Sequence, residues 1–177
     1  MAQLAPSEQL TYNTVRLECH LGSGGTSTGT AFFFTFLQDG QRGIPTLITN
    51  KHVVAGAETA TFYLHLLAPD GGPMRGSKAP VILDHFEQLW IPHPDAKVDL
   101  CAMPVAPLLR VAGANDIKPY FVSLDASLIP SSKDFDDLTA LEDVVMIGYP
   151  IGIWDSQNNM PIIRKGRFCA GSPLKWS

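Results

Sequence analysis

Charged side chains are scarce in this 177-residue sequence, at 17% against about 25% in average soluble domains. A composition this poor in charge suits many short strands better than long solvated helices. Lys and Arg number 13 against 17 Asp and Glu, for a formal net charge of −4, and no basic block occurs. Duplex nucleic acid needs a concentrated positive footprint, so it is not expected as a partner. No apolar run approaches the roughly 20 residues of a membrane helix, so no membrane partner is expected either. The opening residues, Met1 to Glu8, have neither a basic stretch nor an apolar core, so no secretory signal is visible and a cytoplasmic location is expected. Cysteine is rare and odd in number: Cys19, Cys101 and Cys169 form no close pair. Neither a disulfide framework nor a zinc site is suggested, and no metal or other cofactor is expected.

What is present is apolar and turn-rich, with 45% hydrophobic residues, 15 Gly and 14 Pro. Val15, Leu17, Cys19 and Leu21 alternate with Arg16, Glu18 and His20, the period of a half-buried strand. Gly22 to Gly29 reads as a small-residue loop, and Thr30 to Leu37 as a β-branched and aromatic strand. Gln38 to Gly43 is a hairpin connection. Thr46–Thr49 and Thr59–Leu67 read as further strands, with weaker ones at Val81–Leu83, Phe86–Ile91 and Val98–Met103. Ser132 is placed to cap a short helix whose apolar face is Phe135, Leu138 and Leu141. Strands resume at Asp143–Gly148 and Pro161–Ala170. The reading is therefore all-β, with a first unit over 1–107, a connection over 108–142 and a second unit over 143–177. Two strands bury too little apolar surface to stand alone, so the second unit is expected to be incomplete.

Two stretches carry chemistry. In Leu47-Ile-Thr-Asn-Lys-His52-Val-Val-Ala55 a strand delivers one histidine at its end. An imidazole there can serve as a general base, because its ordinary pKa of about 6.5 lets it take and return a proton near neutrality. In Lys97-Val-Asp99-Leu-Cys-Ala-Met103, Asp99 is the sole charge in an apolar run. Burying a carboxylate there is costly unless a donor accepts its charge, and an imidazole N–H is a suitable donor.

Ser27-Thr-Gly29-Thr-Ala-Phe32, Leu47 to Val54 and Val98-Asp99-Leu-Cys-Ala102, in that order, resemble the first barrel of trypsin-like serine peptidases, closest to the bacterial disulfide-free type. Val145-Met-Ile-Gly148-Tyr-Pro150-Ile-Gly152 and Gly166-Arg-Phe-Cys-Ala170 are similar to the opening strands of that family's second barrel. The resemblance implies a double antiparallel β-barrel, the first barrel complete and the second partial, acting on a polypeptide substrate. His52 would be the general base and Asp99 its orienting carboxylate. The family's nucleophile loop, Gly-x-Ser-Gly, is not found after Asp99. Ser172 sits in a segment resembling the strand before that loop, and Ser177 is the last residue. No nucleophile is identified, and the 177 residues alone are expected to be inactive, with the serine-bearing segment encoded after Ser177. An inactive peptide-binding module on the same fold is the alternative, and a dimer or domain swap through the unfinished barrel would cover its edges.

The other candidates have plainer readings. Cys169 in Phe168-Cys-Ala-Gly171 echoes a Gly-x-Cys-Gly loop only loosely and suits a buried strand position better. His20 and His65 fall at the polar positions of alternating strands. His85 and His93 flank a strand-like segment without carboxylate partners. The acidic run Asp134 to Asp143 reads as a solvated face, and Phe32, Phe33, Phe34 and Phe36 as core.

Overall fold

The computed structural model describes residues 4–40, 42–138, 141–150 and 153–169. A short helix, α1 (Pro6–Thr11), opens with proline at a position where a missing N–H costs nothing. It leads through Asn13, whose buried amide donates to the carbonyls of Phe33 (2.7 Å) and Val122 (2.9 Å). There follow β1 (Thr14–Leu21), β2 (Thr26–Asp39), β3 (Arg42–Thr49), α2 (Lys51–Val54), β4 (Ala57–Leu67) and β5 (Pro73–Asp84). A 3-10 turn over Phe86–Leu89, then β6 (Ile91–Pro92), β7 (Cys101–Pro104) and α3 (Ala106–Ala114), complete the first part. Beyond it lie β8 (Pro119–Tyr120), β9 (Leu124–Asp125), α4 (Ser132–Asp136), β10 (Leu141–Gly148) and β11 (Ile162–Cys169).

The protein is mainly β, as its alternating sequence indicated. β5-β4-β1-β2-β3-β7-β6 is the strand order of one sheet, with β8 added on β4 and β9 on β2. β10 and β11 form a separate antiparallel pair. The period-2 signal of β1 translates directly into burial: Val15, Leu17 and Cys19 are at most 2% exposed. They share one core with Phe33, Leu47, Phe62, Val81 and Met103. A single core reaching from β5 to β7 requires the sheet to coil around it. The ladder nevertheless does not close into a barrel, since its end strands β5 and β6 are not paired with each other. β6 is only two residues long, and Pro92 has no N–H to donate.

Several local readings are corrected. β2 begins at Thr26, because Gly24 and Gly25 take positive φ and turn the chain early, so Thr26 to Gly29 pair with β1. Phe86–Leu89 is a 3-10 turn entered through His85 at φ 53°. β5 is far longer than Val81–Leu83, because its pairing with β4 extends back to Pro73. The short helix is capped by Ser131, which accepts from the Asp134 N–H, and Leu141 belongs to β10 rather than to its apolar face. Within 108–142, β8 pairs with β4 and β9 with β2. Of the four phenylalanines, Phe33 and Phe34 are buried while Phe36 is 41% exposed.

The β10–β11 pair is anchored to the first sheet by the segment between its strands. Tyr149, 4% exposed, donates its N–H to Thr30 Oγ1 at 2.9 Å, and Lys78 Nζ donates to the Ser156 carbonyl at 2.7 Å. Trp154 receives the cations of Arg16 and Lys78 on its ring, at 5.2 and 5.4 Å. Of the acidic run, Asp134, Asp136, Asp137 and Asp143 are exposed, and Asp143 bridges Lys165 (2.8 Å) and Arg167 (3.3 Å) at the surface.

Candidate active site

The site begins where β3 stops. Thr49, the last residue of the strand, is buried and donates its hydroxyl to the Thr30 carbonyl at 2.9 Å. The chain then makes the single turn of α2. Val53 and Val54 are buried against the core, so the intervening geometry leaves His52 on the outer side, its side chain 71% exposed. Gly29 makes this packing possible: a Cβ there would lie 2.6 Å from both methyl groups of Val53.

Asp99 arrives from the other direction, on the loop between β6 and β7. That loop is closed by the His93 N–H donating to the Leu100 carbonyl at 2.9 Å. Inside it the Lys97 N–H donates to Asp95 Oδ1 at 2.8 Å, and Lys51 Nζ reaches the Asp95 carbonyl at 3.1 Å. The result places Asp99 Oδ2 2.5 Å from His52 Nδ1, with Oδ1 accepting from the His52 backbone N–H at 3.2 Å. The hydrogen bond from His52 holds the Asp99 carboxyl below its ordinary range. Asp99 is not buried as its apolar neighbours suggested; its side chain is 47% exposed, because Asp99 and Leu100 precede β7 in an irregular loop. The pairing therefore reflects direct hydrogen bonding and not a cost of burial.

With the carboxylate accepting at Nδ1, the ring proton belongs there, and the Nε2 lone pair is left facing outward. Among the described residues Nε2 has no hydrogen-bond partner. Chemically, such an imidazole can take a proton from a hydroxyl, and the carboxylate stabilises the imidazolium that forms. Tyr149, just after β10, donates its N–H to Thr30 Oγ1, and the Thr30 carbonyl accepts from Thr49 at the end of β3.

No protein-family model matches this chain, and no curated protein matches it.

The remaining candidates do not join the pair. His20 is exposed on β1, and the His93 ring accepts the Asp95 N–H at 3.1 Å. His65 corrects the sequence reading: it is 4% exposed, because Tyr12 and Asn159 cover the outer face of β4 at that point. Cys19 and Cys101 are buried free thiols, both pushed up to about 11 by burial. Cys169 lies on β11 with its side chain outside the described residues, as Ser172 and Ser177 are altogether. Among the described residues no group of three His, Cys, Asp or Glu side chains is placed to hold a metal ion. Also among them, no helix is long and apolar enough to cross a membrane. A cavity of about 630 Å³ lies between β5, β7 and α3; its lining is mostly aliphatic, includes Asn115 and does not include His52.

Sequence reasoning missed Asn50 and Asn159. Both are polar residues whose importance lies in bonds to distant backbone, and the only local hint was Asn50 standing between a strand end and the histidine.

Proposed function

We propose that this chain carries the base side of a trypsin-like serine endopeptidase site. The observation that carries the reading is the Nδ1–Oδ2 contact of 2.5 Å between His52 and Asp99, with Nε2 left available. In the reaction a serine hydroxyl attacks the peptide carbonyl while His52 takes its proton. The same imidazole returns that proton to the leaving amine, and Asp99 holds the ring in the required tautomer throughout. The nine-stranded sheet corresponds in this reading to the first barrel of the fold, and β10–β11 to the opening strands of the second. The order of the three sequence motifs supports the assignment.

The test is a fluorophosphonate probe applied to the product of the natural reading frame. A Gly-x-Ser-Gly segment after Asp99 and labelling of its serine are expected, with labelling lost in His52→Ala. A folded natural product that lacks such a segment, or that carries one and does not label, overturns the reading.

The alternative is a catalytically silent module that binds extended peptide. The outer edge of β5 favours it, since among the described residues that strand ends the sheet order with no strand paired on its far side. Saturable binding of unstructured peptides, unchanged in His52→Ala and without turnover, is its signature.

A further inference from the structure

Asn50 occupies the N-cap position of α2, where asparagine ordinarily turns its side chain back to accept from the first helical N–H groups. Here it makes no such bond. Its Nδ2 reaches across instead and donates to the backbone carbonyl of Asp99 at 2.8 Å. The capping bond is made from the other side: the His52 N–H, in the first turn, donates to Asp99 Oδ1 at 3.2 Å. The two residues have exchanged duties. Asn50 holds the main chain of Asp99, and Asp99 caps the helix that follows Asn50.

We infer that Asn50 is a positioning residue for the His52–Asp99 pair, setting the carboxylate against the imidazole through the Asp99 carbonyl. The inference rests on reading His52 as the general base. Its physical basis is that Asp99 lies on an irregular, half-exposed loop with no strand ladder to locate it. A side chain in such a loop has several rotamers open to it, whereas a productive pair demands placement to within about 0.5 Å. The loop has other ties, but the His93 N–H to Leu100 carbonyl bond acts one residue later, and Lys51 Nζ reaches the Asp95 carbonyl four residues earlier on a flexible stem. Among the described residues the Asn50 bond is the one made to the main chain of Asp99, and it leaves the carboxylate free for the ring.

The experiment uses the 177-residue chain and reads the His52 ring by NMR above the pH of imidazole protonation. In the wild type a downfield Nδ1 proton and nitrogen shifts of the Nδ1–H tautomer are expected. Asn50→Ala removes the donor, and Asn50→Asp keeps the shape while setting acceptors against a carbonyl. Both are expected to lose the downfield proton and shift the ring toward a mixture of tautomers, with the dispersed amide spectrum of the fold retained. Lys51→Met, which cuts the distant tether alone, is expected to keep the wild-type signature. Unchanged ring signals in both Asn50 variants overturn the inference. Loss of the fold in both overturns it too, since a positioning role requires that the fold survive. The readout involves no peptide hydrolysis, so its failure leaves the peptidase reading standing, and a failure of fluorophosphonate labelling leaves the Asn50 result standing.

Discussion

Asp99 grips His52 at two points, with Oδ2 2.5 Å from the ring Nδ1 and Oδ1 3.2 Å from the backbone nitrogen. Ring rotation and backbone position are thereby set by one carboxylate. Asp99→Asn preserves the shape but brings an amide NH2 that can donate to Nδ1 and so favour the opposite tautomer. Under the proposed peptidase reading, kcat is expected to fall about 10⁴-fold, the size of effect seen when such a carboxylate is replaced in a triad. Steady-state peptide hydrolysis measures it.

The same pair has a pH signature in this chain. Asp99 titrates below its ordinary range when folded, chiefly through its bond to His52, so the folded state binds its proton less readily than the unfolded state. The stabilisation is present above an ordinary carboxyl pKa of about 3.9 and is lost as pH falls through the lower folded value. The Tm advantage of wild type over Asp99→Asn is expected to hold at pH 6 and shrink toward pH 3. Thermal melts across that range check it.

His65 behaves in the opposite pH region. Burial is the main reason its pKa is lowered, the Asn159 hydrogen bond opposes this, and the Lys78 charge adds to it. The unfolded chain therefore takes up a proton at this residue before the folded one does. Stability is full above a pH of about 6.5 and declines as pH drops from there toward the folded value. His65→Gln, which cannot titrate, is expected to show a flatter dependence of Tm on pH between 7 and 5.

Gly29 and Gly113 should respond oppositely to the same substitution. Gly29→Ala drives a methyl group into Val53, on the buried side of the helix that carries His52. A loss of about 1–3 kcal/mol is expected, as for other overpacked cores, together with a weakened His52 ring signature. Gly113 lies in α3 with open space around it, and Gly113→Ala is expected to gain about 0.5–1 kcal/mol. Denaturant titrations of the two variants decide the comparison.

Cys19 and Cys101 should be chemically silent in the native protein. Both are at most 4% exposed, and thiols pushed up to about 11 hold almost no thiolate at pH 8. Iodoacetamide followed by peptide mapping is expected to find both unmodified in buffer and modified in denaturant.

The strands were legible because their signal is local. Val15, Leu17 and Cys19 alternate, and alternation alone assigns them to the buried face of β1. Asp99 was legible as a chemically unusual position, but its surroundings misled: the apolar residues from Cys101 onward belong to β7, while Asp99 and Leu100 stay in the loop. His65 was misread for the converse reason. Its strand pattern put it on a polar face, and nothing nearby in the chain announces that Tyr12 and Asn159 cover that face.

The sequence by itself determined the β character, the core side of β1 and the placement of a histidine at a strand end. Tertiary structure alone decided that His52 meets Asp99, that Asn50 reaches the Asp99 carbonyl and that the sheet stays open between β5 and β6. The reason is physical. Hydrophobic period is a property of successive residues, whereas a hydrogen bond between residues 47 apart depends on the register of every strand and the closure of every loop between them.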